Sequence, residues 1–164
     1  MKEFFSGERV RRVLKYLLFL FLTLVAQNMA FTQLRPLGVA PMILPAAVVA
    51  VGMFEGAWWG AIFALVMGIF ADMAFVESTV AFTVLLPLLA FGAGFVSQFF
   101  INRRFFAYMG AALAALLITA LVQAVLVGVR DVWSLSMLPT ILLQTLWSLP
   151  PAVLTYFPPA KWIE

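Results

Sequence analysis

The chain has no cysteine and no histidine, and only 10% of its residues are charged. The first absence excludes disulfides and thiolate chemistry, and the second removes the commonest metal ligand and general base, so redox and zinc chemistry lack the side chains they need. Lysine does not fill the gap for nucleophilic catalysis, because Lys2, Lys15 and Lys161 all lie toward the ends of the chain. Neither an enzyme nor a bound cofactor or metal is expected. The scarcity of charge excludes a soluble surface: an ordinary soluble domain carries about a quarter charged residues, whereas this chain is 65% hydrophobic with a mean hydropathy of +1.10. An integral membrane protein follows. The net charge of +3 sits largely in the first fifteen residues, so it bears on membrane orientation, and no nucleic-acid site is expected.

At about 20 residues per crossing, 164 residues leave room for five or six spans and little else. The expected fold is an all-α polytopic bundle: a basic cytoplasmic segment over 1–12, a transmembrane domain over 13–157 and a short cytoplasmic tail over 158–164. The spans read as 13–34, 39–54, 57–75, 80–101, 107–129 and 135–157. The second is short, and a re-entrant segment competes with a crossing. Charge decides between them. If it crosses, Arg103, Arg104 and Lys161 join the basic N-terminus inside and only Arg35 and Arg130 lie outside. If it does not, the bias nearly vanishes. Six spans with both termini cytoplasmic is therefore the expected topology. Pro150 and Pro151 predict that the sixth helix breaks into two pieces.

Within this frame one row stands out: Gly52, Gly56, Gly60, Ala64, Gly68 and Asp72, every fourth residue, small until it ends in an acid. In a helix such positions stack on one face and form a groove that admits a neighbouring backbone, either of this chain or of a partner. The carboxylates Glu55 and Asp72 lie about 25 Å apart along a straight helix, too far to work as an acid–base pair. Asp72 falls near the outer interface with Arg35, Glu77, Arg130 and Asp131, where a structural ion cluster competes with a proton or substrate role and the interfacial position favours structure. Gln27, Asn28 and Gln123 are the remaining intramembrane amides, expected to bond neighbouring helices. Trp58 and Trp59 read as headgroup anchors, and Gly92, Gly94 and Gly110 as sites of close approach.

The opening of the second span, Leu37-Gly38-Val39-Ala40-Pro41, followed by Glu55-Gly56-x-x-x-Gly60 and Gly68-Ile-Phe-Ala-Asp72, resembles the MreD family, the small membrane subunits of the bacterial rod-shape (elongasome) system. The specific part of the likeness covers about residues 34 to 73, and the glycine that family members often carry in the following loop has no counterpart in 75–79. The resemblance implies a non-enzymatic scaffold in the bacterial cytoplasmic membrane. It would work with an MreC-like membrane protein and, through it, with actin-like MreB and the enzymes of lateral peptidoglycan synthesis and cell shape. Two other readings stand beside it: the substrate-binding S component of an energy-coupling-factor vitamin transporter, whose fold is similar to that of MreD, and a small proton-coupled transporter using Asp72.

Overall fold

A computed structural model describes residues 7–31, 41–74, 80–99, 105–130 and 137–161. Among them there are six α-helices and no strand: α1 (Gly7–Ala26), which continues into a π-helical turn at Gln27–Phe31, α2 (Leu44–Glu55), α3 (Ala57–Ala74), α4 (Ala81–Phe99), α5 (Phe105–Arg130) and α6 (Met137–Lys161). Three stretches are long and apolar enough to cross a membrane, Ala57–Ala74, Ala81–Gln98 and Phe105–Val129. The first helix begins at Gly7, inside the segment read as preceding the span, and the last runs to Lys161, inside the segment read as a tail.

The helices are organised around α2. It is apolar on every side, and all its residues from Leu44 to Phe54 are buried. The other five helices all pack against it. A helix of 12 residues is about 18 Å long, short of a hydrocarbon core of about 30 Å. Both ends are covered by protein, Met42 to Leu44 at one and Phe54 at the other being buried, and irregular backbone is tolerated there if its polar groups find partners. Small residues make the central position accessible: Ala46, Ala47, Ala50 and Gly52 let neighbours approach, and Val48, Val49 and Val51 fill the remaining volume. Pro45 falls in the first turn, where its missing N–H has no helical partner to lose.

Contacts at the helix ends define two ends of the bundle. Arg12 near the start of α1 reaches Glu55 at the end of α2, with Arg12 Nε 3.9 Å from Glu55 Oε1. Near this end Phe54 packs against Tyr156 of α6, with ring centroids 5.6 Å apart, and Tyr156 packs against Phe105 of α5 at 5.3 Å. At the opposite end Gln27 meets the start of α2, and Asp72 meets the start of α4. Successive helices thus run in alternate directions, and the start of α1 and the end of α6 share one end.

The sixth helix is continuous through Pro150, Pro151, Pro158 and Pro159, so the expected break is absent. Ser148 Oγ donates to the Gln144 carbonyl at 2.6 Å and Thr155 Oγ1 to the Ala152 carbonyl at 2.8 Å on either side of the first proline pair. Proline occurs within membrane helices where the packing of neighbouring helices holds the chain.

Candidate functional site

The small-residue row does not lie on one helix. Gly56 ends α2 with φ +94, a left-handed conformation that a residue with a Cβ seldom adopts, and α3 leaves from it in the reverse direction. The Gly56 N–H donates to the Gly52 carbonyl at 3.0 Å and the Gly60 N–H to the Gly56 carbonyl at 2.9 Å, so helical bonding carries through the corner while the chain turns. Gly52 and Gly60 consequently face each other across the α2–α3 hairpin, and a β-carbon on Gly60 would overlap the Gly52 Cα. The even spacing that reads as one helical face is a hairpin folded at its second glycine.

The partner of the row is this chain's own α4. A β-carbon on Gly52 would overlap the Ala90 carbonyl, and one on Gly68 would lie 2.6 Å from the Phe82 carbonyl oxygen and 2.8 Å from the Thr83 Cα. The approach is reciprocal, since a β-carbon on Gly94 would fall 2.6 Å from the Ala57 Cα and 2.7 Å from the Gly52 carbonyl oxygen. Ala64, between Gly60 and Gly68, is wholly buried. Ser97 Oγ ties the same seam, donating to the Met53 carbonyl at 3.3 Å and the Gly94 carbonyl at 2.9 Å. Gly92 and Gly110, also read as places of close approach, have open space where a β-carbon would go.

Asp72 closes the row by capping α4. Its Oδ1 accepts from the Phe82 N–H at 3.1 Å, and its Oδ2 from the Thr83 N–H at 2.7 Å and the Thr83 hydroxyl at 2.6 Å. The first turn of a helix leaves its N–H groups without helical partners and carries a partial positive charge, so a carboxylate is well placed there. Of the rest of the expected outer cluster, Arg35, Glu77 and Asp131 lie outside the described residues, and Arg130 is the last residue of α5.

A second cap holds the start of α2. The π turn begins at Gln27, whose side chain is 3% exposed and whose Oε1 accepts from the Ile43 N–H at 3.0 Å and the Leu44 N–H at 2.8 Å. The Met42 N–H donates to Ser148 Oγ at 2.8 Å. Three N–H groups at a buried helix start are thereby satisfied by α1 and α6 together. Asn28, by contrast, bonds within its own helix, donating to the Leu24 carbonyl at 3.2 Å. Gln123 accepts from Gln144 Nε2 at 3.3 Å and links α5 to α6.

Within the bundle a polar group that the sequence reading passed over joins three helices. Tyr108 of α5 is wholly buried, and its hydroxyl donates to the Ala152 carbonyl of α6 at 2.8 Å, lies 2.6 Å from Thr155 Oγ1, and is 3.4 Å from the Ala46 carbonyl of α2. The signal available was a single tyrosine inside an apolar run, which carries no spacing to a partner. Ser148, Thr83 and Gln144 were equally silent, because hydroxyls and amides in membrane helices bond many different groups.

Trp58 and Trp59, the expected anchors, project from the start of α3 and are 77% and 49% exposed. Trp58 rests edge-on against Phe91, with ring centroids 5.5 Å apart. Among the described residues no group of acidic side chains is placed to hold a metal ion. The contacts described fix helix positions: glycines set how close α2, α3 and α4 come, Asp72 and Gln27 hold the starts of α4 and α2, and Tyr108 joins α5 to α2 and α6. No family model, no curated protein and no solved structure matches the chain.

Proposed function

We propose that the chain is a non-enzymatic, six-span scaffold of the bacterial cytoplasmic membrane, with both termini cytoplasmic, of the MreD kind. In this role it helps to organise lateral peptidoglycan synthesis, and hence cell shape, together with an MreC-like membrane protein and, through it, actin-like MreB and the wall-synthesis enzymes. One observation carries the scaffold reading: three of the four intramembrane polar side chains read from the sequence join helices, while Asn28 bonds within its own. Asp72 caps α4, Gln27 caps α2 and Gln123 bonds Gln144. Acids inside a membrane protein are functional candidates by default, and a carboxylate with three donors at a helix start is suited to holding that helix. The resemblance over residues 34 to 73 supplies the choice of partner.

Affinity purification of the tagged full-length protein from native membranes tests this. Recovery of an MreC-like protein is the expected result. Recovery of a transporter ATPase module in its place would overturn the scaffold reading and favour a substrate-binding S component.

A further inference from the structure

The helices differ in length by sector. α3 and α4 have 18 and 19 residues, whereas α5 has 26, α6 has 25, and α1 has 20 followed by a π turn of 5. The apolar stretches able to cross a membrane repeat the contrast, with 18 residues in α3, 18 in α4 and 25 in α5, or about 27, 27 and 37 Å at the helical rise. The two short helices also end together. Asp72 of α3 bonds the Phe82 and Thr83 N–H groups at one end, and a β-carbon on Gly94 would meet Ala57 at the other. They form one short sector of the bundle, level at both edges.

The outward surface of this sector is apolar. Trp58, Ile62, Leu65, Ile69 and Met73 follow one stripe of α3, and each is at least 41% exposed. Val84, Leu88 and Phe95 follow one stripe of α4, and the Trp58 ring meets Phe91 beside it, with centroids 5.5 Å apart. From Trp58 to Met73 the exposed surface is about 22 Å tall and from Val80 to Val96 about 24 Å, against about 34 Å from Phe106 to Val129 on α5. A hydrocarbon core is about 30 Å thick, so the sector is too short for it. Tilting enlarges the shortfall, because a tilted helix spans less. Its edges cannot supply the missing height: the Trp58 indole suits the headgroup level, Asp72 stands in the last turn of α3, and Gln98 is exposed near the end of α4. The α3 stripe also lacks the small residues that helix pairing uses, since Gly60 and Gly68 are turned toward α2 and α4. Lipid suits it better than a partner helix.

We propose that the α3–α4 sector gathers phospholipids of short acyl chain and thins the bilayer beside it. A span shorter than the hydrocarbon thickness draws the bilayer in around itself, and a lipid whose chains are already short makes that adjustment at less cost. The longer α5 makes no such demand, because tilt absorbs an excess of length. The bundle thereby presents two lipid environments on one circumference, thin beside α3 and α4 and ordinary beside α5. This preference needs only that the helices cross a membrane, whichever partner organises wall synthesis with them.

Bromine quenching of a fluorophore on an introduced cysteine reads the lipid composition at each face, and the chain has no native cysteine to interfere. Leu65→Cys on α3, Leu88→Cys on α4 and Ile118→Cys on α5 use positions near mid-helix that are 43%, 62% and 43% exposed. Each full-length variant is reconstituted into an equimolar mixture of fourteen-carbon and eighteen-carbon phosphatidylcholine, with the bromine on one lipid or the other. At 65 and 88 the fourteen-carbon lipid is expected to be enriched about threefold over its bulk share, the scale of a mismatch of several ångströms. At 118 no enrichment is expected. Two positions on the short sector keep the result informative if one variant does not fold. Equal composition at all three positions overturns the proposal, as does enrichment of the eighteen-carbon lipid at 65 and 88. No quenching by either lipid at any position would overturn the membrane reading itself, a distinguishable failure.

Discussion

At Asp72 one carboxylate meets two backbone N–H groups and a hydroxyl, and each replacement has a separable consequence. Leucine removes every acceptor and leaves the first turn of α4 uncapped, at a cost of about 2 kcal/mol on the scale of lost helix caps. Asparagine keeps one acceptor oxygen, which can take the place of Oδ2 toward the Thr83 N–H and hydroxyl, and loses the acceptor for the Phe82 N–H, so about half that loss is expected. Thermal unfolding in detergent should therefore rank the native protein above Asp72→Asn and Asp72→Asn above Asp72→Leu. Equal and complete loss of function with both, at unchanged folding, would instead show that the charge itself is needed. That Asp72 matters was legible from its place at the end of a small-residue row. Its partner was not, because nothing in Val80-Ala81-Phe82-Thr83 marks which residue will receive a side chain from ten positions earlier.

Among elements, α3 and α4 show what spacing can and cannot tell. Residues four apart suggest close packing, and Gly52, Gly60 and Gly68 each have backbone where a β-carbon would go, the approach that a membrane interface without a hydrophobic driving force relies on. The turn at Gly56 was compatible with the same spacing and changes its meaning, from one face of one helix to two faces of a hairpin. The α3–α4 contact follows, and with it a change in what substitution should do. Gly68→Leu would drive a side chain into the Phe82 and Thr83 backbone, which cannot swing aside as a side chain can, so loss of the folded bundle is expected in size-exclusion chromatography, before any partner is involved. Gly92→Ala meets open space and should be neutral or raise the unfolding temperature slightly, by the roughly 0.5 to 1 kcal/mol that separates alanine from glycine inside a helix. If Gly68→Leu left folding intact and removed only a partner, the row would serve an intermolecular contact. The sixth helix shows the opposite limit of legibility. Pro150 and Pro151 predict a break because each removes a helical hydrogen bond, but the helix continues through both, packed against α2 and α5, and no local pattern reveals that packing.

For the whole molecule, the helical class, the number of helices and most of their limits followed from hydropathy and proline alone. The central place of α2 did not, since a short apolar segment reads the same whether it lies beside lipid or is surrounded by protein. Burial from Leu44 to Phe54 resolves its character, and the alternating contacts give its direction: Arg12 with Glu55 at one end, Gln27 with Leu44 at the other. An antiparallel α2 puts the connections after α1, α3 and α5 at one end and those after α2 and α4 at the other. Position 78, between α3 and α4, and position 103, between α4 and α5, therefore belong to opposite ends of the bundle. The absence of native cysteine makes this directly measurable, as any label reports the introduced residue alone. With Ser78→Cys and Arg103→Cys expressed separately in intact cells, an impermeant maleimide should label the first, and the second should become reactive only after the membrane is opened. The expected sidedness rests on the positive-inside bias of the sequence, in which the basic stretches ahead of the first and fifth spans are read as cytoplasmic. Labelling in the reverse order would invert the bundle, and labelling of both from outside would mean that α4 does not cross.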